Sequence, residues 1–282
     1  MLAVKSTPKS QVTGVRRNTS FSPDHVETDL AILRLTAEEI GKRGLSVSLV
    51  EESELGKVAI DTAVIFNMCQ GATAIGELQK IEASGKLVIN SPGSILNCYR
   101  YNMVRLLPEA GVKFPTSFLV TTAKSQIPHG VEKFQGTWVK RGDVHAVTKE
   151  DVVLAYTREE ILAILHRLDQ RGINRAVLQE HIEGDVIKFY AVHNNAFFEW
   201  YYHNKYGLHP VDAKELHHLA ELSAETMGLD IYGGDAIATP EGALVIIDIN
   251  DWPSFAPFRE RASKYIAEAI IQKAKENGKL PD

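Results

Sequence analysis

The sequence predicts an α/β (α+β) fold in which a small parallel-sheet unit precedes a larger mixed one, and three observations predict it. Up to about residue 92, short apolar runs alternate with helical periodicity, the pattern of βαβ units. Between residues 176 and 202, three strand-like runs follow one another with short connections, which asks for antiparallel pairing. Further on, residues 233–238 and 245–249 flank Thr239-Pro240-Glu241-Gly242, turn chemistry that predicts a hairpin.

Taken in order, residues 2–4 could start a first strand, and residues 5–18 are polar, basic and weakly patterned, as in a loop or arm. Leu30, Leu33, Ala37 and Ile40 give an amphipathic helix over 24–43, with Ser22 or Asp24 as its cap. Strands over 45–50 and 61–68, a helix over 72–84 closed by Gly85, and a strand over 86–90 complete the first unit. A helix through Met103, Leu106 and Leu107 then leads to a strand at 117–121, and residues 136–140 form another that ends in a loop. After a short strand at 151–156, Thr157 and Glu160 make a capping box for a helix over 157–171. Leu216, Leu219, Ala220 and Met227 share one stripe of a helix over 212–227 that Gly228 caps. On that helix His217 and His218 are expected to be exposed, without the spacing of a metal site. A last helix runs over 258–277.

Composition sets the outer limits. The 282 residues, 44% hydrophobic and 24% charged, are those of a globular protein with a sizeable core. A net charge of −5 with no Lys/Arg-rich run argues against nucleic acid as a partner. Two cysteines without metal spacing and no signal-like start predict a reduced, cytoplasmic protein, and no apolar run is long enough to span a bilayer.

The chemistry concentrates at the end of the 245–249 strand. Alternation places Asp248 and Asn250 on one face, with Ile247 and Ile249 on the other, and the hairpin brings Asp235 beside them. Hard oxygen donors, too few for an all-protein cage, suit a Mg2+ that takes its remaining ligands from water and substrate phosphates. An anionic ligand needs local cations, and Lys140 at a strand end is one candidate.

The order of these parts resembles the ATP-grasp superfamily over residues 45–275. Asp235, Asp248 and Asn250, the last two in Val-Ile-Ile-Asp-Ile-Asn-x-x-Pro-Ser, are similar to the acidic pair and Asn with which that family holds two Mg2+ (or Mn2+) ions on ATP phosphates. Residues 177–184, Val-Leu-Gln-Glu-His-Ile-Glu-Gly, resemble its adenine-binding hinge. The resemblance therefore implies cofactor contacts from Gln179, Glu180, His181 and Ile182. It also implies phosphate contacts from Arg100, Lys140 and Lys188, with Arg100 and Lys188 in catalysis, and a ribose contact from Glu183 or Asp185, since Val186 occupies the family's acidic position. Lys140-Arg141-Gly142-Asp143-Val144-His145-Ala146 departs from the glycine-rich flap, and Arg141 or His145 could replace its backbone donors.

This resemblance implies a pre-ATP-grasp domain over 1–95 and an ATP-grasp domain over 96–282, with a small ATP-binding lobe at about 115–182 and a metal- and substrate-binding lobe at about 183–282. It implies a ligase that activates a small-molecule carboxylate as an acyl phosphate and joins it to an amine or thiol, releasing ADP and phosphate, and a possible homodimer. The Asp-Ile-Asn-Asp-Trp-Pro run and the short flap keep a second class open, a kinase that transfers the γ-phosphoryl group to a hydroxyl. Tyr201, His203, Lys205, Trp252, Ser254, Phe255 and Arg259 are the candidates for the acceptor side.

Overall fold

The computed structural model describes residues 11–23, 26–124, 126–194, 197–204 and 206–281. The strand expected at residues 2–4, the candidate cap Asp24 and the acceptor candidate Lys205 lie outside them. By compactness the chain divides into two units, Met1–Pro92 with Ser254–Asp282, and Gly93–Pro253.

In the first unit, β1 (Val12–Arg16), α1 (Val26–Lys42), β2 (Val47–Glu51), β3 (Val64–Asn67), α2 (Ala72–Ala83) and β4 (Leu87–Ile89) form a parallel sheet of order β2-β1-β3-β4 with its crossover helices. Strand β1 corrects the expected polar loop at 5–18. It is a central strand, Val12 and Val15 are fully buried, and Thr13 hydrogen-bonds the Ser48 and Thr62 hydroxyls at 3.0 and 2.8 Å. Alternation is not required of a strand covered on both faces, so the Val-Thr-Gly-Val run carries no period-2 signal. Gly14 is needed there because a Cβ would stand 2.5 Å from the Phe66 ring. The sequence places residues 258–277 with the second unit, but α7 (Arg259–Glu276) packs along α1, burying Ile266, Ala267 and Ile270 beside Ile32, Leu33 and Ile40.

The second unit carries two antiparallel sheets. After α3 (Pro92–Asn97) and α4 (Arg100–Glu109), two helices where the sequence suggests one, come β5 (Ser117–Thr121), β6 (Thr137–Arg141), β7 (Val152–Ala155), α5 (Arg158–Gln170) and β8 (Arg175–Glu180). These four strands form a sheet of order β5-β8-β6-β7, with α5 packed on it through Ile161, Ile164, Leu165 and Leu168. The capping box at the start of α5 forms as expected, Thr157 accepting from the Glu160 amide and Glu160 from the Thr157 amide.

The second sheet, of order β10-β9-β11-β12, is built from β9 (Asp185–Val192), β10 (Phe197–Tyr202), β11 (Ile231–Ala238) and β12 (Leu244–Asp251). One face packs on α6 (Ala213–Met227) and α4. Ile187, Phe189, Tyr232, Ala236, Ile246 and Ile249 meet Leu216, Ala220, Ala224, Met103 and Leu107 there. Asp212 caps α6 by accepting from the Lys214 and Glu215 amides, and Gly228 ends it at φ +74°.

The expectation of three consecutively paired strands over 176–202 needs correction. Strands β9 and β10 pair, but β8 and β9 belong to different sheets. Gly184 in the link between them stands at φ +146°, and a Cβ on it would lie 2.2 Å from the Ala238 carbonyl oxygen, so only glycine turns the chain here. That turn opens a cavity between the two sheets.

Candidate active site

The cavity holds about 430 Å3 and draws its wall from both sheets. Strands β6 and β8 give Trp138, Lys140, Gln179 and Glu180; the link gives His181, Ile182 and Gly184; strands β9, β11 and β12 give Val186, Asp235, Ile237, Ile247 and Asp248. Arg100, Ala146, Val152 and His203 complete it. One end is therefore apolar and the other charged, a form suited to an amphipathic ligand with an anionic tail.

The charged end is a row across three adjacent strands. Lys188 on β9 is in register with Asp235 on β11, which is in register with Asp248 on β12. Two carboxylates directly opposite each other repel, and cations on both sides offset this. Lys188 Nζ lies 2.7 Å from Asp235 Oδ1, and Arg100 Nη2 lies 2.8 Å from Asp248 Oδ2. Lys140 Nζ reaches the Ile247 carbonyl oxygen at 3.3 Å. Burial would raise the Asp248 pKa, but Arg100 and Lys140 outweigh it and hold the carboxyl below the usual range. Burial pushes Lys140 down to about 8, against the pull of Asp248. For Lys188 the lowering by burial is outweighed by Asp235, and its pKa is raised.

Arg100 opens α4, where a cation faces the positive end of the helix dipole. It is 4% exposed, and among the described residues its buried Nε has no hydrogen-bond partner. Placing a charge against a local preference, with a donor left over, is typical of a binding site, where specificity for a ligand outweighs local stability.

A β-bulge sets the cavity face of β12 and corrects the simple alternation. Pairing steps from Asp235/Asp248 to Ala236/Ile246, which leaves Ile247 as the extra residue. Leu244 and Ile246 point to the core before the bulge and Ile249 after it, while Ile247 and Asp248 both line the cavity. Ile247 is thus on the site face, not on the opposite one with Ile249. Asn250 shares the face of Asp248 and is in register with Gly233.

The structure resembles several solved ones. They include D-alanine–D-alanine ligase from Coxiella burnetii (14% identity, 96% of this chain and 98% of that one, TM-score 0.73) and the ATP complex of the Bacillus anthracis D-alanine–D-alanine ligase (14%, 96% and 100%, 0.73). A RimK domain ATP-grasp protein from Sphaerobacter thermophilus is similar at 16% identity over 92% of this chain and 99% of that one, with a TM-score of 0.67. The chain has the ATP-grasp fold. No family model and no curated protein sequence matches it.

Within this ATP-grasp fold, Arg100, Lys140, Gln179, Glu180, His181, Ile182, Asp235 and Asp248 are brought to one cavity. Lys188 reaches it through Asp235. Glu180 and His181 donate their amides to the Thr116 and Gly136 carbonyls, both at 2.9 Å. His181 Nδ1 accepts from Trp138 Nε1 at 3.1 Å. Asp185 faces another task, with Oδ2 taking the Leu208 and His209 amides at 2.5 and 2.7 Å, and neither it nor Glu183 is among the lining residues.

Arg141 is not among the residues that line the cavity. Its guanidinium grips Asp143 at 2.7 and 2.9 Å and Asp151 at 3.1 Å. Among the acceptor candidates, His203 lines the cavity, whereas Trp252 and Phe255 are fully buried core residues. Ser254 uses its carbonyl to accept from Arg259 Nε at 3.2 Å. Trp138, Val186 and Ile237 could have been found from the sequence, each two residues from a predicted contact on the same strand face. Ile247 could not, because nothing in the sequence marks the bulge.

Proposed function

We propose that this cavity binds ATP and that the protein is an ATP-dependent ligase. The row Lys188–Asp235–Asp248, with Arg100 and Lys140 converging on it beside an apolar slot, carries the reading. Trp138, Val152, Val186, Ile182, Ile237 and Ile247 would enclose the base, and the Ile182 backbone would meet its polar edge. Arg100, Lys140 and Lys188 would take the phosphates.

Mg2+ fits the donor set, since Asp235 on β11 and Asp248 on β12 offer carboxylate oxygens and Asn250 on β12 an amide oxygen, all on one face of the sheet. When bound, the metal supplies charge neutralisation at the phosphates. Arg100 and Lys188, now paired with Asp248 and Asp235, would swing part of their hydrogen bonding to the transferred group. In the bonds made, a substrate carboxylate oxygen takes the γ-phosphoryl group and ADP departs. An amine or thiol then displaces phosphate from the acyl carbon and loses its proton. The chain's own work is to hold two anions in line and offset their charge, which needs no side-chain nucleophile.

That the similar structures include two D-alanine–D-alanine ligases supports a ligase over the kinase alternative. The test is ADP release over a matrix of amino acids, small carboxylates, amines, thiols and polyols, with free phosphate measured in parallel. A ligase releases ADP and phosphate in equal amounts when a carboxylate and a nucleophile are both present, and product mass gives the bond. ADP without free phosphate, with labelled phosphate retained on a hydroxyl acceptor, would mean a kinase. ATP binding without turnover on any acceptor would mean a protein that does not catalyse.

A further inference from the structure

A second cluster of ionisable groups lies away from the cavity, where α6 meets the far end of β9. Three residues of α6, His217, Glu221 and Glu225, are spaced four apart and so share one stripe of the helix. His193, just past β9, faces them with its amide fixed to the Asp230 carbonyl at 2.7 Å. His193 Nδ1 is 2.9 Å from Glu221 Oε2, and ligand atoms of His193, Glu221 and Glu225 all lie within 4.8 Å of one another.

A hydrogen-bonded network accounts for part of this. Tyr232 donates to Glu221 Oε1 at 2.8 Å, and the neighbouring Glu221 raises the pKa of His193. Two further observations are left over. Glu225 brings a third ligand atom, a second carboxylate oxygen, into the same space, beyond what the His193–Glu221 pair uses. His217 stacks flat on Phe198 at 4.2 Å, which aims its Nε2 to within 3.7 Å of Glu221 Oε1. That nitrogen is buried, and among the described residues it has no hydrogen-bond partner.

We propose that His193, Glu221 and Glu225 bind a zinc-class divalent ion, with water in the fourth position and His217 Nε2 beside it. One imidazole and two carboxylates form a mixed N/O set, which favours Zn2+ over the all-oxygen Mg2+. Bonds of about 2.0–2.2 Å put tetrahedral ligand atoms roughly 3.4 Å apart, within reach of small rotamer changes. Tyr232, already bonded to Glu221, would hold that ligand from behind, as outer-shell partners do. The ion would clamp α6 to the ends of β9 and β11. His193 stands five residues beyond Lys188, roughly 16 Å along the strand, so this ion is separate from any at the nucleotide phosphates.

The test uses the full chain stripped of metal by chelator and titrated with Zn2+ against a chromophoric competitor, with no nucleotide present. One equivalent should bind and raise the thermal midpoint, and millimolar Mg2+ should not displace it. Co2+ in its place should give the intense visible bands of a four-coordinate site. His193→Asn and Glu225→Gln should each weaken Zn2+ binding by roughly 100-fold or more, while Asp248→Asn leaves it unchanged. Glu225 is exposed, so its Gln variant keeps the fold, and near-ultraviolet circular dichroism checks this. No bound equivalent, binding that survives both variants, or binding lost in Asp248→Asn would each overturn the proposal. Because nucleotide is absent, the outcome is independent of the ATP reading.

Discussion

The two faces of the β10-β9-β11-β12 sheet do opposite things with the same strands. One face is apolar: Ile187, Phe189, Tyr232, Ile246 and Ile249 pack on α4 and α6 with their polar backbone satisfied in the sheet. The other carries Lys188, Asp235 and Asp248 in a row, held half-buried by Arg100 and Lys140. The first face supplies stability through buried area, while the second gives some of it up to keep charges poised. Substitutions on the two faces should therefore separate stability from activity.

The largest effect is expected for Asp248→Asn. It removes the carboxylate proposed to hold Mg2+ and the partner of Arg100, so turnover of Mg-ATP should fall by about 1,000-fold or more, the scale of losing an electrostatic contact at a reacting phosphate. Circular dichroism should show the fold retained, and turnover near that of the unaltered protein would break the distinction between the faces.

On the apolar face, Ile246→Ala should cost about 2–5 kcal/mol of unfolding free energy in urea, the usual range for a cavity in a tight core. Nucleotide affinity should be unchanged under folding conditions. Its neighbour Ile247→Ala should do the reverse, with little loss of stability and a several-fold weaker affinity for nucleotide measured by calorimetry. If the two adjacent isoleucines behaved alike, the bulge would not divide the faces as described.

Lys140 gives a pH test of intermediate size. Its pKa falls from the ordinary lysine value to about 8 in the folded protein, so between about pH 8 and 10.4 the unfolded chain holds more protons than the folded one. Stability should then rise with pH across that window by an amount attributable to this residue, on the order of 3 kcal/mol in total, and Lys140→Met should abolish the rise. Affinity for nucleotide should move the other way, weakening above about pH 8 as the ammonium loses its charge. The smallest effect is expected for Asp185→Asn. Its carboxylate holds the Leu208 and His209 amides, so nucleotide affinity should change by less than about 3-fold, whereas a direct ribose contact would cost about 10-fold or more.

Much of the fold was legible because local signals agreed with the tertiary answer. The capping box at Thr157 and Glu160, Gly228 after α6 and the Thr239–Gly242 turn mark elements that form where expected. Three features broke the local rules. Strand β1 has no alternation because it is covered on both faces. The link at Gly184 leads to a different sheet, although a four-residue connection looks like a hairpin. Arg100 sits at a helix start that disfavours a cation, and only the position of Asp248 explains it.

The sequence by itself placed three oxygen-bearing side chains together: Asp235, Asp248 and Asn250 follow from strand alternation and a turn, and alternation depends only on backbone geometry. It also determined the apolar stripes of α1, α5 and α6, which depend on helical period alone. What only the tertiary structure decided is which groups meet. The bulge at Ile247 turned one more side chain into the cavity, and cross-strand register set Lys188, Asp235 and Asp248 in line. The folding of α6 against the end of β9 brought His193 to Glu221. These contacts join residues up to 47 positions apart, are fixed by packing and register, and are encoded by no local period.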